Sequence, residues 1–293
     1  MASVILDREE YIEQAYFFRV FRDRLLENLP AQEILDSIHE EILSTTRLPM
    51  AIEFLRGEVV LNGRISVGMS HLPHYFTPFQ TFVFSRAEED RSKFDQITAL
   101  EILQHEAAYR AGSVTQAGLF VFQFESISRN RLGYDRGMEA MSGDSQFADG
   151  GWKDWILQVR RQLGATDFGD LIYHHSEQFT LDKRRQLGDS EWCPKQPILF
   201  GAKEGRIAKA NRGKDPLYMF AALQRQLGYP VVPRPKKEFG LEQQVPALHA
   251  KLSQLEKRIQ LLEAELRGSL DLSQFYVKPV ELPADDGSAN RPA

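Results

Sequence analysis

The sequence contains almost no cysteine, which removes two common ways of stabilising a fold. Of its 293 residues only Cys193 is a cysteine, so an internal disulfide and a zinc site built from cysteines are excluded. Cys193 lies between Trp192 and Pro194, with no histidine or other base next to it in the sequence. We therefore expect an inert thiol at this position.

Long apolar segments and targeting patterns are also missing. The most apolar run, residues 117–122, is far shorter than the ~20 residues that cross a bilayer. The chain begins without the basic residues and apolar stretch of a signal peptide. From these features we expect a soluble, cytoplasmic protein without a membrane partner.

Neither charge sign is in large excess, and the common catalytic motifs are absent. The net charge is −5, from 36 basic and 41 acidic residues, which argues against a protein that is basic throughout for nucleic acid. The sequence lacks Walker and dinucleotide-binding glycine patterns, Gly-x-Ser-x-Gly and His-Glu-x-x-His. The hydrophobic share of 42% and the aromatic share of 11% nevertheless predict a substantial folded core.

The longest helical pattern covers residues 77–112. Thr77 can cap a helix, Pro78 suits its first turn, and Gly112 can end it. Further helical patterns with glycine or proline stops precede and follow this stretch. We therefore predict an all-α fold, a multi-helix bundle around a long central helix (77–112). The positions on this helix predicted to face solvent are Glu88, Asp95, Glu106 and Arg110.

Residues 58–67 fit two structures. The pair Asn62-Gly63 suits the two-residue turn of a β-hairpin, and it also suits the end of a helix, where glycine adopts a left-handed conformation. An isolated hairpin is only marginally stable without a sheet to join, and the neighbouring patterns are helical. We expect a helix that ends at Asn62-Gly63, with the hairpin as the alternative.

The pattern changes after a proline-rich stretch, 230–237, which is typical of a stiff, extended linker. We predict a helical globular domain over 1–235, a linker and coiled-coil helix over 236–268, and a flexible tail over 269–293. The coiled coil is predicted because apolar residues recur at alternating spacings of three and four. One amphipathic helix folded back on its own domain is the alternative. The apolar residues of this heptad seam are Val245, Leu248, Leu252, Leu255, Ile259, Leu262 and Leu266.

Three ionisable residues, Asp90, Glu101 and His105, fall on the predicted inner face of the central helix. Glu101 and His105 are four residues apart, so their side chains meet on one surface and can bind a metal with ligands from other helices. The Glu-x-x-His spacing of di-metal bundles is absent. The competing interpretation is a Glu101–His105 salt link, with Asp90 paired to an arginine such as Arg129 or Arg131. A further alternative is that the helix bends or emerges into solvent at 86–93, where six of eight residues are charged.

A basic segment over 203–214 is the candidate site for an anion. Its basic residues recur about every three positions with a single acidic residue, Glu204, among them, so they can follow a row of phosphates. No aromatic residue is interleaved, and a solvated basic face or a dock for an acidic part of the same protein is the alternative. The basic residues are Lys203, Arg206, Lys209, Arg212 and Lys214.

These patterns favour a non-catalytic cytoplasmic scaffold or adaptor that self-associates or binds a protein partner through its coiled coil. Two alternatives stay open. The first is a helical metal-dependent enzyme that uses Glu101 and His105, and the second is a binder of anions or nucleic acid through the basic segment. The sequence identifies no cofactor, substrate or oligomeric state.

Overall fold

The computed structural model describes residues 5–42, 45–89 and 94–235, together with Ile259. Contacts between Cα atoms divide the chain into two units, Met1–Pro235 and Lys236–Ala293. The helices discussed below all belong to the first unit, and every statement on architecture concerns its described residues.

Within these ranges the chain forms thirteen α-helices, one short 3-10 helix over Ser145–Phe147, and no β-strand. The predicted all-α fold is therefore confirmed. The α-helices are α1 (Arg8–Leu26), α2 (Ala31–Glu41), α3 (Leu48–Asn62), α4 (Ile65–His71), α5 (Pro78–Ala87), α6 (Gln96–Ala111), α7 (Gln116–Asn130), α8 (Tyr134–Ser142), α9 (Trp152–Gln162), α10 (Phe168–His174), α11 (Glu177–Leu187), α12 (Ala202–Ala210) and α13 (Pro216–Leu227).

The most buried helix is α7. Eleven of its 15 residues are buried, among them Leu119, Phe120, Phe122 and Phe124, as its nearly all-apolar sequence predicts. It contacts α6, α8 and α13, while α1 packs along α6. The centre of the core is therefore formed by α6 and α7 together.

The prediction of one unbroken helix over 77–112 is wrong, because this stretch forms two helices. The start was correctly predicted, since Thr77 and Gln80 form a capping box at the beginning of α5. However, α5 ends at Ala87, and α6 begins at Gln96 with Asp95 as its own N-cap.

Two carboxylates on either side of the break cap different helices. The Glu88 carboxylate accepts hydrogen bonds from the backbone N–H groups of Ile65 and Ser66, at 2.6 and 3.0 Å, in the first turn of α4. Asp95 accepts from the backbone N–H of Thr98 at 2.6 Å. Each carboxylate satisfies helix N–H groups that have no partner within their own helix, so these bonds favour a break over continuation of one helix.

A glycine and a serine mark helix boundaries in two further stretches of the chain. Helix α3 ends at Asn62 with Gly63 at φ 68°, so the helical interpretation of 58–67 is confirmed. Helices α10 and α11 are separate, because Ser176 caps α11 and pairs with Phe200 in an isolated β-bridge. The backbone around His175 is thereby bound to a segment more than twenty residues later in the chain.

Candidate functional site

Because α6 begins at Gln96 and does not continue from α5, its buried face differs from the one predicted for a single helix. Glu101 and His105 are only half-buried, so their predicted position on the inner face is wrong. Asp90 lies outside the described residues. His105 Nδ1 is 2.9 Å from the carbonyl oxygen of Val231; because a carbonyl only accepts, Nδ1 carries the proton.

The structure does not bring Glu101 and His105 together with further ligands. These two side chains form no ion pair with each other, and the described ranges contain no group of three or more His, Cys, Asp or Glu side chains arranged to hold a metal. The suggested partners of Asp90 have other roles, since Arg129 pairs with Glu125 and Arg131 ends α7 at φ 54°. A metal site at Asp90, Glu101 and His105 therefore stays a hypothesis.

Glu106 and Arg110, which the sequence placed in solvent, lie in the interior. Together with Asp144 they form an interior cluster, in which no side chain is more than 2% exposed. Arg110 Nη2 donates to Glu106 Oε1 at 2.9 Å and also to Asp144, and Gln123 Nε2 donates to Glu106 Oε1 at 2.7 Å. The cluster joins α6, α7 and the turn after α8.

Formal charges in the interior cluster do not cancel, because two carboxylates share one guanidinium. Burial raises the pKa of Glu106, against the lowering effect of Arg110, and the charge of Asp144 adds to the increase. Burial by itself would lower the pKa of Arg110, but the charges of Asp144 and Glu106 raise it overall. Glu106 Oε2 has no hydrogen-bond partner among the described residues, so a proton can reside there and remove the excess negative charge.

The end of the domain forms a strap, residues 229–233, that lies across α6 and α7. The Tyr229 hydroxyl donates to Glu125 Oε2 at 2.7 Å, Asn130 Nδ2 donates to the carbonyl of Pro233 at 3.1 Å, and His105 donates to the carbonyl of Val231. The side chains of Tyr229 and Val232 are buried. Residues 230–233, which belong to the stretch predicted to be a stiff, extended linker, are therefore bound to the helices of the domain.

The strap is part of neither a helix nor a strand, and side chains of α6 and α7 hold it in place. Pro230 and Pro233 lack an N–H group, and the hydrogen bonds from His105 and Asn130 go to carbonyl groups of the strap. Burial and then the charge of Glu125 raise the pKa of Tyr229 well above its usual value, so its hydroxyl remains protonated and able to donate. His105 thus has an observed role, which is to position Val231.

The basic segment divides into two groups. Lys203, Arg206 and Lys214 are exposed. Lys209 Nζ is 2.6 Å from Asp182 Oδ2 and Arg212 Nε is 2.5 Å from Asp170 Oδ1. For Lys209 and Arg212 the predicted dock to an acidic part of the same protein is therefore observed.

The four paired residues form a surface cluster around Tyr173: Asp170, Asp182, Lys209 and Arg212. The Arg212 guanidinium lies 4.2 Å and the Lys209 ammonium 5.4 Å from the centre of the Tyr173 ring. The hydrogen bond from Lys209 lowers the pKa of Asp182 to about 2, with a further contribution from the Tyr173 hydroxyl. The cluster joins α10, α11 and the end of α12.

Close packing of α12 depends on a glycine. A Cβ atom at Gly205 would lie 2.1 Å from Ser176 Oγ, closer than any real contact. The predicted coiled coil lies outside the described residues for Val245, Leu248, Leu252, Leu255, Leu262 and Leu266. Ile259 is described, with a side chain that is 54% exposed.

Comparison with known proteins gives no relative: no protein-family model, curated protein sequence or solved structure matches the chain. Among the helices of the described ranges, none has both the length and the apolar character needed to cross a membrane.

Proposed function

We propose that the chain is a non-catalytic cytoplasmic scaffold or adaptor that assembles through its C-terminal heptad seam. The observation that carries the proposal is the seam, whose seven apolar residues keep the coiled-coil spacing without interruption. The one cysteine, Cys193, is exposed and free, which fits a reducing compartment.

Residue types within the seam favour a parallel pair of helices. With Val245 at position a of the heptad, the other positions a are Leu252, Ile259 and Leu266, and every position d is leucine: Leu248, Leu255 and Leu262. Two of the four residues at a, Val245 and Ile259, are β-branched, and β-branched residues at a with leucine at d favour two strands. We therefore propose a dimer rather than a larger bundle.

The charged residues beside the seam favour a second copy of this chain as the partner. Lys251 and Arg258 occupy positions g, while Glu256 and Glu263 occupy positions e. In a parallel dimer, position g of one helix faces position e of the next heptad on the other helix. Each contact between two identical helices would then join a basic and an acidic side chain.

The strap, which belongs to the helical domain, also supports this proposal. Three side chains, Glu125, Asn130 and His105, hold the strap against α6 and α7, so the chain leaves the helical domain from a fixed position. Less conformational freedom at the point of departure lowers the entropy lost when two chains associate.

The test is the molar mass of the full chain in solution, measured by light scattering after size exclusion. We expect about twice the chain mass of 33.6 kDa, and the chain mass alone for Leu255→Asp/Leu262→Asp. The matched control is Gln254→Asp/Gln260→Asp, which adds the same charges at positions away from the seam and should remain dimeric. A parent protein that is monomeric at tens of micromolar, or a control that also dissociates, contradicts the proposal.

Charge reversal tests the choice of partner. We expect Lys251→Glu/Arg258→Glu to dissociate the dimer, because each of the four contacts between positions g and e then joins two acidic side chains. Adding Glu256→Lys/Glu263→Lys to the same chain should restore it. Failure of the fourfold variant to recover, with a folded domain, would show that the partner is not a second copy.

Anion binding is a second candidate, favoured by the exposure of Lys203, Arg206 and Lys214. Neutralising these three with glutamine should reduce binding of a single-stranded oligonucleotide and flatten its salt dependence. The control is Lys153→Gln/Arg161→Gln, two exposed basic residues of α9. Binding that survives the triple change rules this candidate out.

A further inference from the structure

A pocket of about 450 Å³ opens where α7, α8, α9, α10 and α13 converge. Its floor is made of Phe124, Phe168 and Phe220, which are all buried. The rings of Phe124 and Phe168 stack with 4.0 Å between their centres and 13° between their planes. The volume falls within the range of about 300–1,000 Å³ that is typical of small-molecule sites.

Three residues with hydroxyl groups line the pocket: Ser128, Tyr134 and Thr166. Ser128 Oγ accepts a hydrogen bond from the Tyr134 hydroxyl at 3.0 Å, and its own proton has no acceptor among the described residues. The Thr166 hydroxyl likewise has no side-chain hydrogen bond to any residue that the structure describes. A hydroxyl can both donate and accept, so each can bind an oxygen atom of a ligand.

The ionic groups at the edge of the pocket already have partners. Arg160 donates two hydrogen bonds to the Asp135 carboxylate, at 2.6 and 2.9 Å, and lies 3.5 Å from Glu139. Both oxygens of Asp135 are used, and the guanidinium charge is compensated. A charged ligand would place its charge over an apolar floor without an ionic partner, at a cost in desolvation.

We propose that this pocket binds a small, uncharged aromatic molecule that carries a hydroxyl or carbonyl group. The ring of the ligand packs on Phe124 and Phe168, where offset or edge contacts between aromatic rings are favourable. Its oxygen meets the hydroxyl of Ser128 or Thr166. The pocket belongs to the helical domain and does not involve the heptad seam, so each proposal can be tested and rejected independently of the other.

The test uses the full chain and 2-naphthol, with fluorescence of the probe as the readout and saturation-transfer NMR as a second measurement. We expect one 2-naphthol per chain. The anionic analogue 2-naphthoate and the cationic analogue 2-naphthylmethylammonium should bind at least tenfold more weakly. Equal affinity for the three probes, or several molecules per chain, would overturn the proposal.

Two variants locate the probe. Thr166→Trp fills the pocket and should weaken binding of 2-naphthol at least tenfold, whereas Ala165→Trp, at the exposed neighbouring position in the same turn, should bind like the parent. Thermal unfolding confirms that both variants are folded. If Thr166→Trp does not fold, Ser128→Ala takes its place and should reduce the preference for 2-naphthol over naphthalene. Binding that neither change affects places the probe elsewhere and rejects the assignment.

Discussion

Two groups of ion pairs join helices of this domain, and they differ mainly in their access to water. The interior cluster has no side chain more than 2% exposed. In the surface cluster, Lys209 and Arg212 are 48% and 35% exposed. Ionic contacts at the surface contribute little to stability, while a buried charge that loses its partner is strongly destabilising. Removing one partner of an ion pair should therefore lower the free energy of unfolding much more in the interior cluster than in the surface cluster.

The largest expected effect comes from removing the shared cation of the interior cluster. Arg110→Met leaves Glu106 and Asp144 buried without a guanidinium, and we expect it to lower the free energy of unfolding by about 3–5 kcal/mol. Urea denaturation at neutral pH measures this change. Adding Glu106→Gln and Asp144→Asn to the same chain removes the buried negative charges and should recover part of the loss. A loss of less than 1 kcal/mol for Arg110→Met would contradict the contrast between the two clusters.

Titration of Glu106 gives an intermediate effect with a defined sign. Because burial raises the pKa of Glu106 above its usual value of 4.5, the folded state holds this proton more tightly than the unfolded state. The resulting stabilisation is complete below pH 4.5 and is lost as the pH rises through the folded-state pKa. Relative to Glu106→Gln, the parent should lose stability as the pH is raised above 4.5. If the difference in the free energy of unfolding between the parent and Glu106→Gln stays constant with pH, the pKa of Glu106 is not raised in the folded state.

The smallest effect is expected in the surface cluster. Arg212→Met removes a half-buried ion pair with Asp170 and the contact with the Tyr173 ring, and we expect the free energy of unfolding to fall by about 1 kcal/mol or less. The same urea denaturation measures it, ideally beside Arg110→Met, since both changes replace arginine by methionine. Equal losses for these two variants would show that burial does not distinguish the clusters.

Local signals in the sequence predicted much of the helical architecture. Asp215, Pro216 and Gly228 mark both ends of α13, and Gly63 marks the end of α3. Such signals indicate helix ends correctly because a cap, a first-turn proline or a left-handed glycine acts within a few residues of the helix end. Neighbouring residues contain all the information that such a choice requires.

The break between α5 and α6 was indicated by neighbouring residues only in part, because the charged run at 86–93 left a bend as an alternative to one continuous helix. Glu88 is needed at the first turn of α4, 22 and 23 residues earlier in the chain, and no local pattern indicates that contact. Once the break is missed, the apolar face of α5 is extended with the wrong phase into α6. As a result, Glu101 and His105 were predicted on the inner face and Glu106 and Arg110 in solvent, whereas Glu106 and Arg110 are the buried pair.

The interior cluster and the strap were missed for a related reason. Arg110 meets Asp144 at a separation of 34 residues, and Tyr229 meets Glu125 at a separation of 104. The only available signal was the spacing of Glu106 and Arg110, four residues apart beside the apolar residues Ile102, Leu103 and Ala107. That spacing suits an exposed ion pair as well as a buried one.

The sequence by itself determined the all-α class, most helix ends and the heptad seam, because helix periodicity and capping are local properties of the chain. Only the tertiary structure decided which face of α6 is buried, that the start of the expected linker is a strap, and that Phe124, Phe168 and Phe220 form the floor of a pocket. Those features depend on contacts between helices that are distant in sequence, and the energy of each contact depends on how much water it excludes.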